Sequence, residues 1–92
     1  MEFGIFNSVC MPPKFRAEHG AGAEHRRIMD EIRYVKAADA AGFKYAWVTE
    51  HHFLSEYSHL SANESFMGFA AAATENIHIG SGIINITPPV NP

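Results

Sequence analysis

Apolar residues fall in three short dense runs, and two longer stretches between them carry a helical repeat. The first run, Glu2-Phe3-Gly4-Ile5-Phe6-Asn7, starts almost at the first residue and predicts a buried strand. From Ser8 to Ala23 the pattern lapses. Pro12-Pro13 and then Gly20 and Gly22 among charges show no sustained period, which predicts a long loop of the kind that carries function. From about Glu24 to Ala41, Ile28, Ile32 and Val35 recur on one stripe while Arg26, Arg27, Asp30, Arg33 and Lys36 lie largely off it, so a helix is predicted. Gly42 is the expected left-handed stop, with Phe43 folding back on the last turn as in a Schellman motif. Asp39 falls on the apolar stripe near a helix C-terminus, where the dipole disfavours an anion. Either it is hydrogen-bonded at the helix-sheet junction or the last turn swings it outward.

The second run, Tyr45-Ala46-Trp47-Val48-Thr49, predicts a strand buried on both faces that breaks abruptly into Glu50-His51-His52-Phe53. A polar loop to about Ala62 follows, carrying Glu56, Tyr57 and His59. Ser61-x-x-Glu64 has the form of a capping box and predicts a helix from about Ala62 to Thr74, whose alanines at 70–73 make a thin face able to press on a sheet. The third run, Ile77 to Ile86, predicts a strand interrupted by glycines. Pro88-Pro89-Val90-Asn91-Pro92 cannot continue a central strand, because each proline lacks a donor. Trp47 and the phenylalanines at 3, 6, 66 and 69 are the expected core.

The order strand, helix, strand, helix, strand, with near-continuous apolar strands, is the grammar of parallel crossover units. A dinucleotide-binding half would need its glycine fingerprint directly after the first strand, where Asn7-Ser8-Val9-Cys10-Met11 stands instead. The predicted fold class is therefore α/β: residues 1–92 form the N-terminal βαβαβ segment of a (β/α)8 TIM barrel, incomplete because a whole barrel needs about 250 residues. The long loops after the strands then gather at one face, where such barrels keep their chemistry.

Composition narrows the partners more than the fold. With 92 residues, a net charge of -3 and an apolar fraction of 47%, the chain offers no electrostatic reason to bind nucleic acid or an anionic membrane. Lone Cys10 makes no internal disulfide, and neither a signal-peptide pattern nor a membrane span is visible, so a cytoplasmic protein is expected.

Successive strand side chains point to opposite faces, so adjacent His51 and His52 should diverge, one toward the barrel mouth and the other sideways. The mouth-facing imidazole suits proton transfer near neutral pH; the plain alternative is two ordinary polar residues at a strand end. Glu50, His51, His52 and His59 are metal-ligand types, yet neither an H-E-x-x-H helix nor a cysteine cluster accompanies them, and no metal is expected. Cys10 reads as a small packed residue and His78 as structural.

Met1-x-Phe3-Gly4-x-Phe6, Ala40-Ala41-Gly42-Phe43, Trp47-Val48-Thr49-Glu50-His51-His52-Phe53, and Ile79-Gly80-Ser81-Gly82-Ile83-Ile84 with its following Pro-x-x-Asn together resemble the start of the bacterial luciferase-like flavin monooxygenases. The resemblance covers nearly the whole chain. It implies a barrel that binds reduced FMN, adds dioxygen at the flavin C4a position and oxidises an aldehyde or another small organic substrate. It places the catalytic histidine at His51, with Glu50 beside it, and a non-proline cis peptide against the isoalloxazine at Gly82-Ile83, the cofactor-binding pair. It further implies a flavin reductase as supplier and a dimer at full length. Flavin-phosphate contacts would come from later parts of the barrel, so the 92-residue chain is expected to bind flavin poorly and to be inactive alone. Two alternatives stay open: a deazaflavin-dependent hydride-transfer enzyme on the same barrel, and a non-catalytic barrel-wall fragment or partner subunit.

Overall fold

Strands β1 (Gly4–Asn7), β2 (Tyr45–Val48) and β3 (His78–Ser81) lie parallel in the order β1-β2-β3 in a computed structural model that describes residues 1–87. Helix α2 (Ala23–Ala40) makes the first crossover and α3 (Asn63–Ala72) the second, and a short helix α1 (Pro13–His19) precedes α2 through a tight turn at Gly20–Gly22. The architecture is the predicted α/β segment. The prolines of 88–92, expected to end the third strand, lie outside the described residues.

Register decides which side chains share a face. Gly4, Tyr45 and His78 form one row, Ile5, Ala46 and Ile79 the next, then Phe6, Trp47 and Gly80, and finally Asn7, Val48 and Ser81. Alternate rows point to opposite sides of the sheet. The rows of Ile5 and Asn7 face the helices, where Val9, Ile32, Val35, Ala46, Val48, Leu60, Phe66 and Ala70 close one core. The rows of Gly4 and Phe6 face away from it.

This corrects the expectation of strands buried on both sides. Trp47 is 44% exposed and Phe6 65%, and Phe3 and Phe69 are exposed as well; of the aromatic residues expected in the core only Phe66, at 5%, is there. The sequence pattern is apolar on both faces because both are built to be covered, but the described residues include elements for only one of them. On the open face the indole of Trp47 lies flat over its neighbours: a Cβ on Gly80 would come within 2.9 Å of Trp47 Cζ3, and one on Gly4 within 3.6 Å of Nε1. Glycine at position 80 makes room for that ring, whereas the tight approaches at Gly4 are to Tyr45 Cβ and O, both at 3.2 Å.

The helix ends follow local chemistry. Gly42 has φ 84°, its N–H donates to Asp39 O and the Phe43 N–H reaches back to Ala38 O, which is the predicted Schellman closure. Asp39 is hydrogen-bonded at the helix-sheet junction, accepting the backbone N–H groups of Glu75, Asn76 and Ile77 at 2.8, 3.0 and 2.8 Å. Those bonds hold its carboxyl below the usual range.

Three further expectations about the elements fail. The stretch from Ser8 to Ala23 contains α1, because Pro12-Pro13 does not break a helix but starts one, with Pro13 at the first position, where a missing N–H costs nothing. The capping box does not form: Ala62, not Ser61, is the N-cap of α3 and makes no side-chain cap bond, and the helix ends at Ala72. β3 stops at Ser81 rather than Ile86, since from Gly82 onward the backbone bonds to Val48 O and to side chains instead of a strand ladder.

Candidate active site

Buried polar side chains are few and clustered. Among the described residues, Asn7, Thr49, Glu50, Ser58 and Asn63 are all buried at the C-terminal ends of the strands or in the segments beside them, and only Glu31 of α2 stands apart. They knit the strand exits together. Thr49 N–H and Oγ1 both donate to Asn7 O, and Asn7 Nδ2 donates to Trp47 O at 3.4 Å. The loops leaving β1 and β2 pair with each other: Met11 N–H donates to Tyr57 O, His59 N–H to Val9 O, and Ser58 Oγ to Ser8 O. Each loop turns through one non-glycine residue in the left-handed region, Val9 at φ 49° and Phe53 at φ 61°. Such backbone is uncommon for a β-branched residue and concentrates at functional sites.

Glu50 sits at the centre of this floor. One carboxylate oxygen accepts His52 Nε2–H at 2.6 Å and the other accepts the Asn85 N–H at 2.7 Å. The Asn85 amide, and then His52, hold the carboxyl below its ordinary value, so it is an acceptor only and the His52 proton is placed on Nε2. Glu50 thereby joins the exit of β2 to the segment after β3.

His51 and His52 diverge, as alternation predicts. His52 turns to Glu50, whereas the half-buried His51 ring meets Tyr57 edge-on, with centroids 5.4 Å apart. The His51 backbone is pinned by its N–H to Leu60 O at 2.9 Å, and among the described residues its ring makes no hydrogen bond. Of the two residues expected to act together, Glu50 is thus bonded to the other imidazole. Sequence reasoning did not assign His52 this role.

Gly82 and Ile83 lie beside this pair. The Gly82 N–H donates to Val48 O at 2.8 Å, and Ile83 O accepts from Asn63 Nδ2 at 2.9 Å and from Ser81 Oγ at 2.5 Å. No peptide bond among the described residues is cis, so the expected cis linkage at Gly82-Ile83 is absent: the trans segment already satisfies these polar groups, and a cis form would cost about 3–4 kcal/mol. Asn63 was missed too. Its position on the stripe Asn63, Phe66, Met67 and Ala70 was the available signal, a polar residue where an apolar one is expected.

The remaining candidates go elsewhere. His59 lies between Arg16 Nη2 at 3.1 Å and Glu24 Oε2 at 3.3 Å on the helical side, His78 is exposed on the open face 6.1 Å from the Tyr45 ring, and Cys10 O accepts from Arg27 Nε. Among the described residues no three His, Cys, Asp or Glu side chains gather as metal ligands. A concavity of about 340 Å³ opens on the outer side, between α2 and α3, and contains none of Glu50, His51 or His52. Its apolar lining is the rim of the core, so the polar floor carries the chemistry better.

A model of the luciferase-like monooxygenase family matches residues 1–92. The chain belongs to that family. Nine chains of solved structures match as well, among them the crystal structure of apo-MsnO8, with a TM-score of 0.70 and 23% identity over 88% of this chain. This chain spans 22% of that one, so the likeness shows the fold alone: the three parallel strands and their helices match part of a luciferase-like α/β barrel. No curated protein matches. Among the described residues no helix is long and apolar enough to cross a membrane.

Family membership raises the question of a flavin. A planar heteroaromatic ring needs a flat apolar wall and a rim of fixed polar groups, and the open sheet face offers Phe6 and Trp47 while the strand exits offer the Gly82–Asn85 backbone held by Glu50, Val48 and Asn63. The ring-binding half fits.

Proposed function

We propose that this segment is the proton-handling wall of a flavin-dependent monooxygenase acting on a small organic substrate such as an aldehyde. The observation that carries the reading is the division of labour at the exit of β2. Glu50 is fully engaged by His52 and the Asn85 amide, while the adjacent His51 imidazole is half-exposed and has no hydrogen-bond partner among the described residues. An uncommitted imidazole on a pinned backbone is placed to take and return a proton. Here His51 would hold the proton on a ring nitrogen, and the Tyr57 ring would fix its plane. Glu50 and His52 would set the shape of the floor rather than exchange protons with substrate. Gly82 and Ile83 would present backbone to the ring face, with Phe6 and Trp47 below.

Reduced FMN, when bound, supplies two electrons and the surface on which dioxygen is activated. One oxygen atom enters the substrate and the other leaves as water, so an aldehyde becomes a carboxylic acid as FMN is reoxidised. A flavin reductase would supply the reduced cofactor, the full-length protein would be a cytoplasmic dimer, and this segment alone would be inactive.

The test is His51→Ala in the full-length protein that carries this segment, assayed with reduced FMN, dioxygen and an aldehyde series. Turnover should fall by at least about 100-fold, the usual contribution of a positioned acid-base group, while FMN binding persists. Unchanged turnover refutes the role. Turnover with a reduced deazaflavin but not with reduced FMN would move the protein to hydride transfer on the same barrel.

One observation favours a second reading, that of a non-catalytic barrel wall. Phe3, Phe6 and Trp47 leave an apolar face open beside β1 and β3, each paired on one side only among the described residues. Saturable FMN binding with turnover argues against it.

A further inference from the structure

The segment after β3 is held from three directions. Val48 O takes the Gly82 N–H at 2.8 Å, Glu50 takes the Asn85 N–H at 2.7 Å, and Asn63 reaches in from the start of α3 to Ile83 O at 2.9 Å. Asn63 is 0% exposed, and its Nδ2 also points to Ser81 Oγ at 3.4 Å. Ser81 Oγ donates to the same Ile83 carbonyl, so two side chains from different elements converge on one oxygen and fix the peptide plane that follows.

The amide orientation is forced. Turned the other way, Asn63 Oδ1 would face Ile83 O, acceptor against acceptor, at hydrogen-bond distance. In the orientation that satisfies Ile83, Oδ1 is left buried without a partner among the described residues. A buried acceptor left unpaired is costly, and a small apolar residue at this first helical position would avoid that cost. Helix formation does not call for it either, since the cap residue is Ala62 and makes no side-chain cap bond. What the asparagine achieves in return is the placement of Ile83.

We propose that Asn63 is a positioning residue that fixes the Ile83 carbonyl, and so sets the plane of the backbone offered to the flavin ring. The inference rests on the flavin reading and deepens it. Asn63 acts through the Ser81–Ile83 backbone and does not touch the reacting atoms.

Asn63→Asp separates this role from a structural one. An aspartate at the first position of a helix suits the dipole, so α3 keeps its start, and at a pH high enough to ionise the buried carboxyl the side chain has no donor for Ile83 O. In the intact protein, amide exchange at Gly82 and Asn85 should accelerate at least tenfold while the amides of Ile32 and Val35 in α2 stay protected. Unchanged protection at Gly82 and Asn85 overturns the proposal. FMN titration supplies the second readout: Asn63→Asp should bind at least tenfold more weakly and shift the visible absorption band of bound FMN. A wild-type protein that binds FMN beside a variant with equal affinity and an identical band overturns this inference and leaves the flavin reading standing. A wild-type protein that does not bind FMN removes the flavin reading, and this inference with it. Should Asn63→Asp fail to fold, Ser81→Ala removes the other donor to Ile83 O, and the same two readouts should move in the same direction by about threefold.

Discussion

A paired substitution tests the division of the sheet into a covered and an open face. Phe66 is 5% exposed and packs in the core with Val9, Ile32, Val35 and Ala70, so Phe66→Ala should cost about 3–5 kcal/mol by lost burial and the cavity left behind. Phe6 is 65% exposed. Roughly a third of the same loss, about 1 kcal/mol, is expected for Phe6→Ala, because only that share of the ring is out of water. A chain of 92 residues that folds cooperatively would be stable by about 5–14 kcal/mol, so the first change removes a large fraction and the second a small one. Melts of the 92-residue chain followed by far-ultraviolet circular dichroism should show a drop of more than about 12 °C for Phe66→Ala and of about 4–8 °C for Phe6→Ala. Equal drops would refute the open face. They would mean that something covers Phe6, either a second copy or a rearranged sheet, and chromatography at several concentrations separates the two.

Glycine replacements should differ in sign. Gly42→Ala places a Cβ at φ 84° with nothing within 4 Å, so its cost of about 1–2 kcal/mol is purely that of left-handed backbone, whereas Gly68→Ala, inside α3 and equally free of contacts, should stabilise by about 0.5–1 kcal/mol; guanidinium midpoints measure both. Acid should weaken the fold through Asp39 and Glu50. Their folded values lie below the ordinary 3.8 and 4.5, so the stability they add is full above those values and is lost as pH falls through the lower folded ones; Asp39→Asn should flatten the acid limb of a stability-pH curve. Glu31 works in the opposite sense, since burial raises it, and Glu31→Gln should remove a small gain in stability on mild acidification. At the site, Glu50→Gln should release the Nε2–H preference of the His52 ring, read as a change in its nitrogen-15 shifts, and should loosen the Asn85 amide; unchanged shifts would sink the proposed geometry.

Much of this architecture was legible because local rules act on neighbouring residues. The Gly42 stop, the Ile32 and Val35 face and the order of strands follow from spacing alone. Asp39 showed itself as an anomaly, an anion on an apolar stripe, and the structure answers with three backbone donors from a segment about 36 residues away. Pro12-Pro13 was opaque because proline both ends and begins helices, and only the donors left free by the fold separate the two. Burial on the sheet could not be read from the chain, since Phe6 and Val48 look equally apolar and the difference between them lies in what stands opposite.

The site shows the same limit more sharply. Glu50, His51 and His52 announced a strand exit with chemistry, yet their partition depended on residues far along the chain: the Asn85 amide that occupies the second oxygen of Glu50, and the Tyr57 ring against His51. Alternation says that two adjacent imidazoles part company, but it does not say which one the carboxylate keeps. Because Glu50 keeps His52, the imidazole left without a hydrogen-bond partner among the described residues is His51, where the family resemblance also places the catalytic histidine. The proposal for His51 therefore has two arguments, one from its uncommitted ring and one from the family resemblance. They would separate if His52→Ala abolished turnover with FMN binding intact while His51→Ala did not, and in that case the free ring would be a wall and the bonded pair the proton carrier.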